Sequence, residues 1–354
     1  MLSFVYEMLP SRVIFGVGSL EQLPAEIERL GAMKALVLST PEQRASAAGI
    51  AARLGPRAAG IFDRAVMHVP IETATAAREE AQRRGADCCV AIGGGSTTGL
   101  AKAIALVSNL PILAIPTTYA GSEMTPIWGL TEGGVKKTGR DARVLPKTVL
   151  YDPTLTLTIP PGLSATSGMN AIAHCVEALY AKDANPIISM LAEEGIRALA
   201  ESLPVVVKQG DNIDARSRAL YGAWLAGISL GAVGMALHHK LCHALGGTYN
   251  LPHAETHTVV LPHAAAYNAA AAPEAMARVA RALGTTSAPL GLYQLSSALG
   301  APRSLASLGM KREDLDQAAR IATTNPYYNP RPVTTEGVRA LLEDTFNGRP
   351  PGAW

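Results

Sequence analysis

Aromatic side chains are scarce in this chain, with four Phe and three Trp among 354 residues, and charged residues make up only 17%. That low charge excludes a disordered chain. With no repeat to suggest a fibre, the 48% hydrophobic content fits an Ala- and Gly-rich globular enzyme. Cysteine is sparse as well: Cys88, Cys89, Cys175 and Cys242 each lie in an apolar segment and none forms a CxxC pair. They read as buried thiols of a reducing compartment, not as a disulfide framework. A net charge of +2 without a Lys/Arg stripe offers nucleic acid no surface. No uninterrupted apolar run is long enough to span a bilayer. The start, MLSFVYEMLPSRVIFG, is interrupted by Glu7, Pro10 and Arg12 and lacks a basic lead, so a cytoplasmic protein without membrane contact is expected.

The chain is too long for one simple core, and two domains are expected. In the first part, strand-like runs at 34–40, 87–95, 111–118 and 148–153 alternate with helix-like segments at 20–31 and 71–85. Alternation of that kind predicts an α/β domain over 1–155, with a Rossmann-like, doubly wound parallel sheet. After Asp152-Pro153 the patterns are helical almost without interruption, which predicts an all-α domain over 156–354. Three prolines and a glycine in DPTLTLTIPPG mark a plausible hinge at the join.

Two small-residue loops follow predicted strands. In GGGSTTGLAKAIAL, Gly93, Gly94 and Gly95 let the backbone turn tightly. Ser96 and Thr97 add donors at the start of a helix, whose exposed N–H groups favour a pyrophosphate. This is neither a GxGxxG fingerprint nor a P-loop, since Lys102 comes too late. The second loop, IPTTYAGSEMT, offers Thr117, Thr118 and Ser122 for a nucleotide. Loops at the carboxyl ends of parallel strands line the ligand crevice of such sheets. A helix cap and turn around Ser122 and Glu123 is the structural alternative.

The histidines carry the sharpest signal. Six of eight lie between His238 and His263, and His239 and His243 are spaced to share one helix face. Asn170 and His174 repeat that spacing in SGMNAIAHCVEAL, and His253 follows a Gly-Gly turn and a Leu-Pro step. Such pairs suit a cation site or a replacement for one. The carboxylate that a transition metal would want is an amide at Asn170.

In order along the chain, IPTTYAGSE, the Asp-Pro at 152–153, SGMNAIAHCVEA and HHKLCHALGGTYNLPH resemble successive blocks of the iron-containing alcohol dehydrogenase family. The resemblance implies a dehydroquinate synthase-like architecture: a dinucleotide-binding α/β domain, a helical domain, and an active site in the cleft between them. It also implies a homodimer. The family holds its metal with an Asp and three His, which fall on Asn170, His174, His239 and His253, and its further active-site histidine falls on His243. Gly99 stands where the glycine loop of the family carries Asp. Thr40 stands where an acidic residue can follow a strand, so NADPH is expected to be accepted alongside NADH.

Asn170 and the segment NPYYNPRPV at 325–333 match one branch, whose members reduce the carbon–carbon double bond of maleylacetate to give 3-oxoadipate in aromatic degradation and are thought to need no metal. Expected, then, is an NAD(P)H-dependent reductase of a small dicarboxylate, with a metal-dependent alcohol dehydrogenase as the alternative. A sugar-phosphate cyclase on the related fold would need a metal and several basic groups for a phosphate, which the region of the histidines lacks. A metal-storage role leaves the nucleotide loops unexplained. For the substrate carboxylates, Tyr327, Tyr328 and Asn325 are candidates. Lys136, Lys137 and Arg140 are too, although a solvated turn is the better reading for those three.

Overall fold

The computed structural model describes residues 4–133 and 135–352. Its contacts divide the chain into two compact units, Met8–Ile159 and Pro160–Trp354 with Met1–Glu7.

The first unit is built as β1 (Arg12–Phe15), α1 (Leu23–Arg29), β2 (Ala35–Leu38), α2 (Arg44–Leu54), β3 (Ala58–Phe62), α3 (Ile71–Arg84), β4 (Cys88–Gly93), α4 (Gly95–Ser108), β5 (Ile112–Pro116), β6 (Ile127–Glu132), β7 (Val135–Arg140) and β8 (Thr148–Tyr151). Six strands form a parallel sheet in the order β1-β8-β5-β4-β2-β3, while β6 and β7 pair as an antiparallel hairpin. The strands β2, β4, β5 and β8 are buried on both faces, and the period of two divides their side chains cleanly. Leu36, Leu38, Cys89 and Ala91 pack with Ala74, Ala77, Leu100 and Ile104 of α3 and α4. Ala35, Val37, Cys88, Val90 and Ile92 pack with Leu23, Ile27, Ile50 and Leu54 of α1 and α2. The adjacent Cys88 and Cys89 therefore point to opposite faces, and all four cysteines are buried and unpaired.

Chain progression reverses beside β4, since β3 lies outward of β2 whereas β5 lies on the other side of β4. That is the switch point at which open α/β sheets bind ligands. Leu38 of β2 pairs with Ala91 of β4, so Thr40 and Gly93, each two residues further on, emerge at the same edge.

The sequence reading missed β1, β3, α2 and the hairpin. Lys136, Lys137 and Arg140, read as a solvated turn, instead lie on β7. The Asp152–Gly162 segment, read as a hinge, begins with an ordered 3-10 turn, Pro153–Thr156. Asp152 caps that turn and also accepts from the backbone N–H of Leu20 at 3.1 Å.

The second unit comprises α5 (Pro161–Leu179), α6 (Pro186–Lys208), α7 (Ile213–Ala232), α8 (Leu237–Tyr249), α9 (His253–Asn268), α10 (Pro273–Leu283), α11 (Ala288–Ala298), α12 (Leu315–Thr323) and α13 (Thr335–Asn347). No strand follows β8 among the described residues. Helix α5 is buried without a break from Ser164 to Leu179, and α9 from Thr256 to Asn268. A helix apolar on one face only would leave a polar stripe in water; these two have none and form the centre of the bundle. Helices α6, α7 and α13 begin with side-chain caps from Asn185, Asn212 and Thr334. Helix α8 has no cap of its own, and that opening is filled from α5. Among the described residues no single helix is long and apolar enough to cross a membrane.

Candidate active site

The glycine turn is held by close approaches that only glycine permits. A Cβ on Gly93 would lie 2.4 Å from Thr97 Oγ1 and 2.8 Å from Gln43 Oε1, and its φ of 152° already disfavours any other residue. A Cβ on Gly94 would meet Thr118 Oγ1 at 2.9 Å. Gly95 opens α4, Ser96 is half-buried, and the Thr97 hydroxyl is buried without a hydrogen-bond partner. Gly99 faces Val69, whose Cγ2 would be 2.9 Å from an added Cβ, so an aspartate there would displace the residues around Val69.

The second loop is tied to the first. The backbone N–H of Thr117 donates to the Gly93 carbonyl at 3.0 Å, and Gln43 Nε2 donates to Thr117 Oγ1 at 2.7 Å. Thr40 is extended immediately before the 3-10 turn that contains Gln43. Lys102, left without a role by the sequence, is fully buried. It donates to the carbonyls of Ser122 (2.6 Å), Thr125 (2.8 Å) and Ile127 (2.8 Å), and contacts the Ser122 and Thr125 hydroxyls. Its ammonium thus pins the loop that carries Ser122 onto α4. Burial pulls its pKa down to about 7, with the charge of Glu123 opposing that shift. Glu123 is itself buried, raised by desolvation, and accepts from Tyr151 Oη at 2.7 Å.

In the helical unit, six imidazoles converge from three helices. His174 Nδ1 lies 2.8 Å from His239 Nε2, and Asn170 Nδ2 lies 3.4 Å from His174 Nε2. His253 and His257 rings are 4.4 Å apart, those of His239 and His257 4.9 Å, and those of His239 and His243 6.2 Å. All five residues expected there, Asn170, His174, His239, His243 and His253, fall in this one neighbourhood. Asn170, His174, His238, His239 and His257 are buried, whereas His243 and His253 are half-buried at the rim.

Three residues of the cluster escaped the sequence reading. His257 lies one helical turn beyond His253, and the spacing that singled out His243 would have found it. His238 is fully buried, with its Nε2 3.0 Å from His257 Nδ1. Glu177, also fully buried, accepts from the backbone N–H groups of Ala236 (2.9 Å) and His238 (2.7 Å) and lies 2.7 Å from His239 Nδ1. A carboxylate at the first turn of α8 both caps it and suits the positive end of its dipole. No local pattern announces Glu177, because its partners lie 59 to 62 residues away.

His238 and His257 are held well below the usual imidazole range, first by burial and then by the neighbouring imidazoles, so both are neutral near pH 7. Among the described residues, the side chains placed to hold a metal ion are His238, His239 and His257, with one ring nitrogen of each within 4.8 Å of the others. That trio shares only His239 with the set that the resemblance implies.

Of the substrate-binding candidates, Asn325 and Tyr328 are exposed. Tyr327 is half-buried against α8, its ring 5.9 Å from Lys240 Nζ, with a buried hydroxyl that has no partner. The segment is anchored by Asn329, which exchanges hydrogen bonds with Asn268 at 3.1 and 2.7 Å. Lys137 pairs with Glu132 at 2.5 Å on the exposed hairpin, while Lys136 is half-buried, and burial lowers its pKa.

Family models match most of the chain: iron-containing alcohol dehydrogenase over residues 10–153, and the C-terminal domain of the same family over 164–346. A maleylacetate reductase of Burkholderia cepacia is 61% identical, the match covering 99% of this chain and all of that one. The crystal structure of maleylacetate reductase from Agrobacterium tumefaciens superimposes with a TM-score of 0.95 at 54% identity, over 99% of this chain and 100% of that one. An iron-containing alcohol dehydrogenase from Corynebacterium glutamicum gives 0.94 at 47% identity, over 98% of both chains.

Proposed function

Because this chain belongs to the iron-containing alcohol dehydrogenase family and carries Asn170 beside an internally hydrogen-bonded imidazole cluster, we propose that it reduces the carbon–carbon double bond of maleylacetate with NADH or NADPH, giving 3-oxoadipate without a metal. Maleylacetate is an enone flanked by two carboxylates. Hydride from the nicotinamide adds to the alkene carbon remote from the ketone, and negative charge arrives on the ketone oxygen as an enolate. Preorganised donors aimed at that oxygen supply the stabilisation. His243 suits the role: it is half-buried at the rim, it lies against His239 and His257, and an imidazole can donate first a hydrogen bond and then a proton near neutral pH. His253 is the second imidazole at the rim.

The donor chemistry around Asn170 speaks against a bound iron or zinc. The pairs His174–His239 and His238–His257 are separated by 2.8 and 3.0 Å, hydrogen-bond distances that need a proton between the two nitrogens. A metal-ligating nitrogen points its lone pair at the cation, and the amide oxygen of Asn170 brings no charge to balance one. An unactivated alcohol gains from a Lewis acid that lowers its pKa, whereas an enone is already polarised.

For the nucleotide we assign Gly93, Gly94, Gly95, Ser96, Thr97, Thr117 and Thr118. Thr40 sits where an acidic side chain would repel a 2′-phosphate. Tyr327, with its unpartnered hydroxyl, is the better of the two tyrosines for a substrate carboxylate. A homodimer is supported by the open edge strand β1 and the exposed Met8 and Val17 beside it.

The test is loss of NADH or NADPH absorbance on adding maleylacetate. Turnover with both nucleotides is expected. No turnover, together with oxidation of simple alcohols once iron or zinc is supplied, would favour a metal-dependent alcohol dehydrogenase built on the His238, His239 and His257 trio.

A further inference from the structure

Residues 325–333 join α12 to α13 without helix or strand, so no regular ladder holds them in place. Pro326, Pro330 and Pro332 stiffen the backbone but remove three N–H donors. The holding falls to side chains, above all to Asn329. Its Nδ2 donates to Asn268 Oδ1 and to the Arg331 carbonyl, both at 2.7 Å. Its Oδ1 accepts from Asn268 Nδ2 at 3.1 Å and from the backbone N–H of Leu237 at 3.3 Å. A primary amide has two protons to give and two lone pairs to receive with, and this one uses all four. Its partners belong to three parts of the unit: Asn268 ends α9, Leu237 opens α8, and Arg331 lies in the segment itself. In the first turn of α8, Glu177 takes the N–H groups of Ala236 and His238, and Asn329 takes the one between them. The helix that carries His239 and His243 is therefore held at its start by two side chains foreign to it, one from α5 and one from this segment. Two residues before Asn329, the Tyr327 ring lies against α8, 5.9 Å from Lys240 Nζ. Lys240 precedes His243 by three residues, so the two share one side of the helix.

We propose that Asn329 is a positioning residue for the reduction: by bolting residues 325–333 to the first turn of α8, it fixes Tyr327 and Lys240 relative to His243. The inference deepens the reading above and rests on it, because it gives a substrate carboxylate two recognition groups on the helix that carries the proton donor. Tyr327 brings a hydroxyl without a partner, and Lys240, exposed on α8, brings the positive charge. A start of α8 released from the segment would move these groups apart, and a misplacement of about 1 Å costs on the order of 10²-fold in rate. The amide suits position 329 by its count of protons. An aspartate there would keep both acceptors yet face two oxygens, Asn268 Oδ1 and the Arg331 carbonyl, with nothing to donate.

Asn329→Asp keeps the shape of the side chain and removes both donated protons. It should raise the KM for maleylacetate and lower kcat, each by about tenfold, while a fluorescence titration with NADH stays unchanged. Expressed per folded protein, lower stability alone would leave KM and kcat where they were, and that result refutes the positioning role. Asn329→Gln adds no charge and moves the amide out by one methylene; it should show the same pattern, and it serves if Asn329→Asp does not fold. Tyr267→Phe is the comparison. It frees the Pro332 carbonyl, which Tyr267 Oη holds at 2.8 Å, and so loosens the same segment without touching Asn329 or α8. Its KM for maleylacetate should stay within about twofold of the unmodified value, since the bond to α8 remains. An equal rise in both variants would show that any loosening suffices, against the assignment to Asn329. Hydrogen exchange followed by mass spectrometry reads the bolt without substrate: in the Asn329 variants, peptides covering 236–243 and 325–333 should lose protection together, by about tenfold or more. Loss confined to 325–333 overturns the link to α8. Absent turnover of maleylacetate by the unmodified protein would instead count against the substrate reading, and the exchange result would stand or fall independently.

Discussion

The two functional regions are made of different materials. In the α/β unit, the site is backbone, glycine and short hydroxyls, arranged within a few residues of a strand end and steadied by one buried lysine. In the helical unit it is six imidazoles, an amide and a carboxylate, brought together from three helices between Asn170 and His257. A site of the first kind depends on shape: remove the tight turn and the ligand no longer fits. The second depends on which atom holds each proton, and a change of a single donor alters the chemistry while the fold stays. Substitutions should therefore separate the two, with nucleotide affinity following the first region and turnover the second.

The largest expected effect is at the rim of the cluster. His243→Ala should lower kcat by roughly 10² to 10⁴, the range of general acid catalysis, while a fluorescence titration with NADH stays unchanged. Parallel losses in both would erase the contrast between the regions. Gly93→Ala reverses the pattern: a Cβ 2.4 Å from Thr97 Oγ1, on backbone at φ 152°, should weaken NADH binding by about tenfold or more and leave the histidine ring spectra intact. Lys102→Met strands the carbonyls of Ser122, Thr125 and Ile127, at about 1–3 kcal/mol each. Urea unfolding should show that loss, and the KM for NADH should rise more than kcat falls. An unaltered KM would make Lys102 purely a core residue.

A separate effect, on stability alone, concerns pH. His263 is buried, and desolvation holds its pKa at about 4, against an ordinary 6.5. The folded protein therefore refuses a proton that the unfolded chain accepts. Stability from this group is complete above pH 6.5 and is lost as pH falls towards 4, on the order of 3 kcal/mol in all. Urea midpoints of His263→Gln should fall less steeply than those of the unmodified protein over that window. Identical slopes would show that His263 is not the group responsible.

How much of this was readable beforehand follows the same division. Strand β4 and the glycine turn were legible because their signal is local: an apolar run that ends in three glycines. Strand β3 was not, since Ala58–Phe62 includes Gly60 at φ 150° and only its last residue is fully buried. The hairpin was hidden by Gly129, Gly139 and adjacent lysines, and the structure compensates by laying the Trp128 ring over Gly139. Among the histidines, four-residue spacing exposed His174, His239 and His243, because helical neighbours sharing a face leave a periodic mark. Glu177 left none. Its importance comes from the first turn of α8 meeting the last turn of α5, a contact that no sequence window contains.

The central claim is that this cluster works on neutral imidazoles and an amide, with no cation. It is tested most directly by stripping the protein with a chelator, verifying its metal content by elemental analysis, and following NADH consumption with maleylacetate. Full turnover by the metal-free protein is the predicted result; activity that disappears with the metal and returns only with iron or zinc would contradict it.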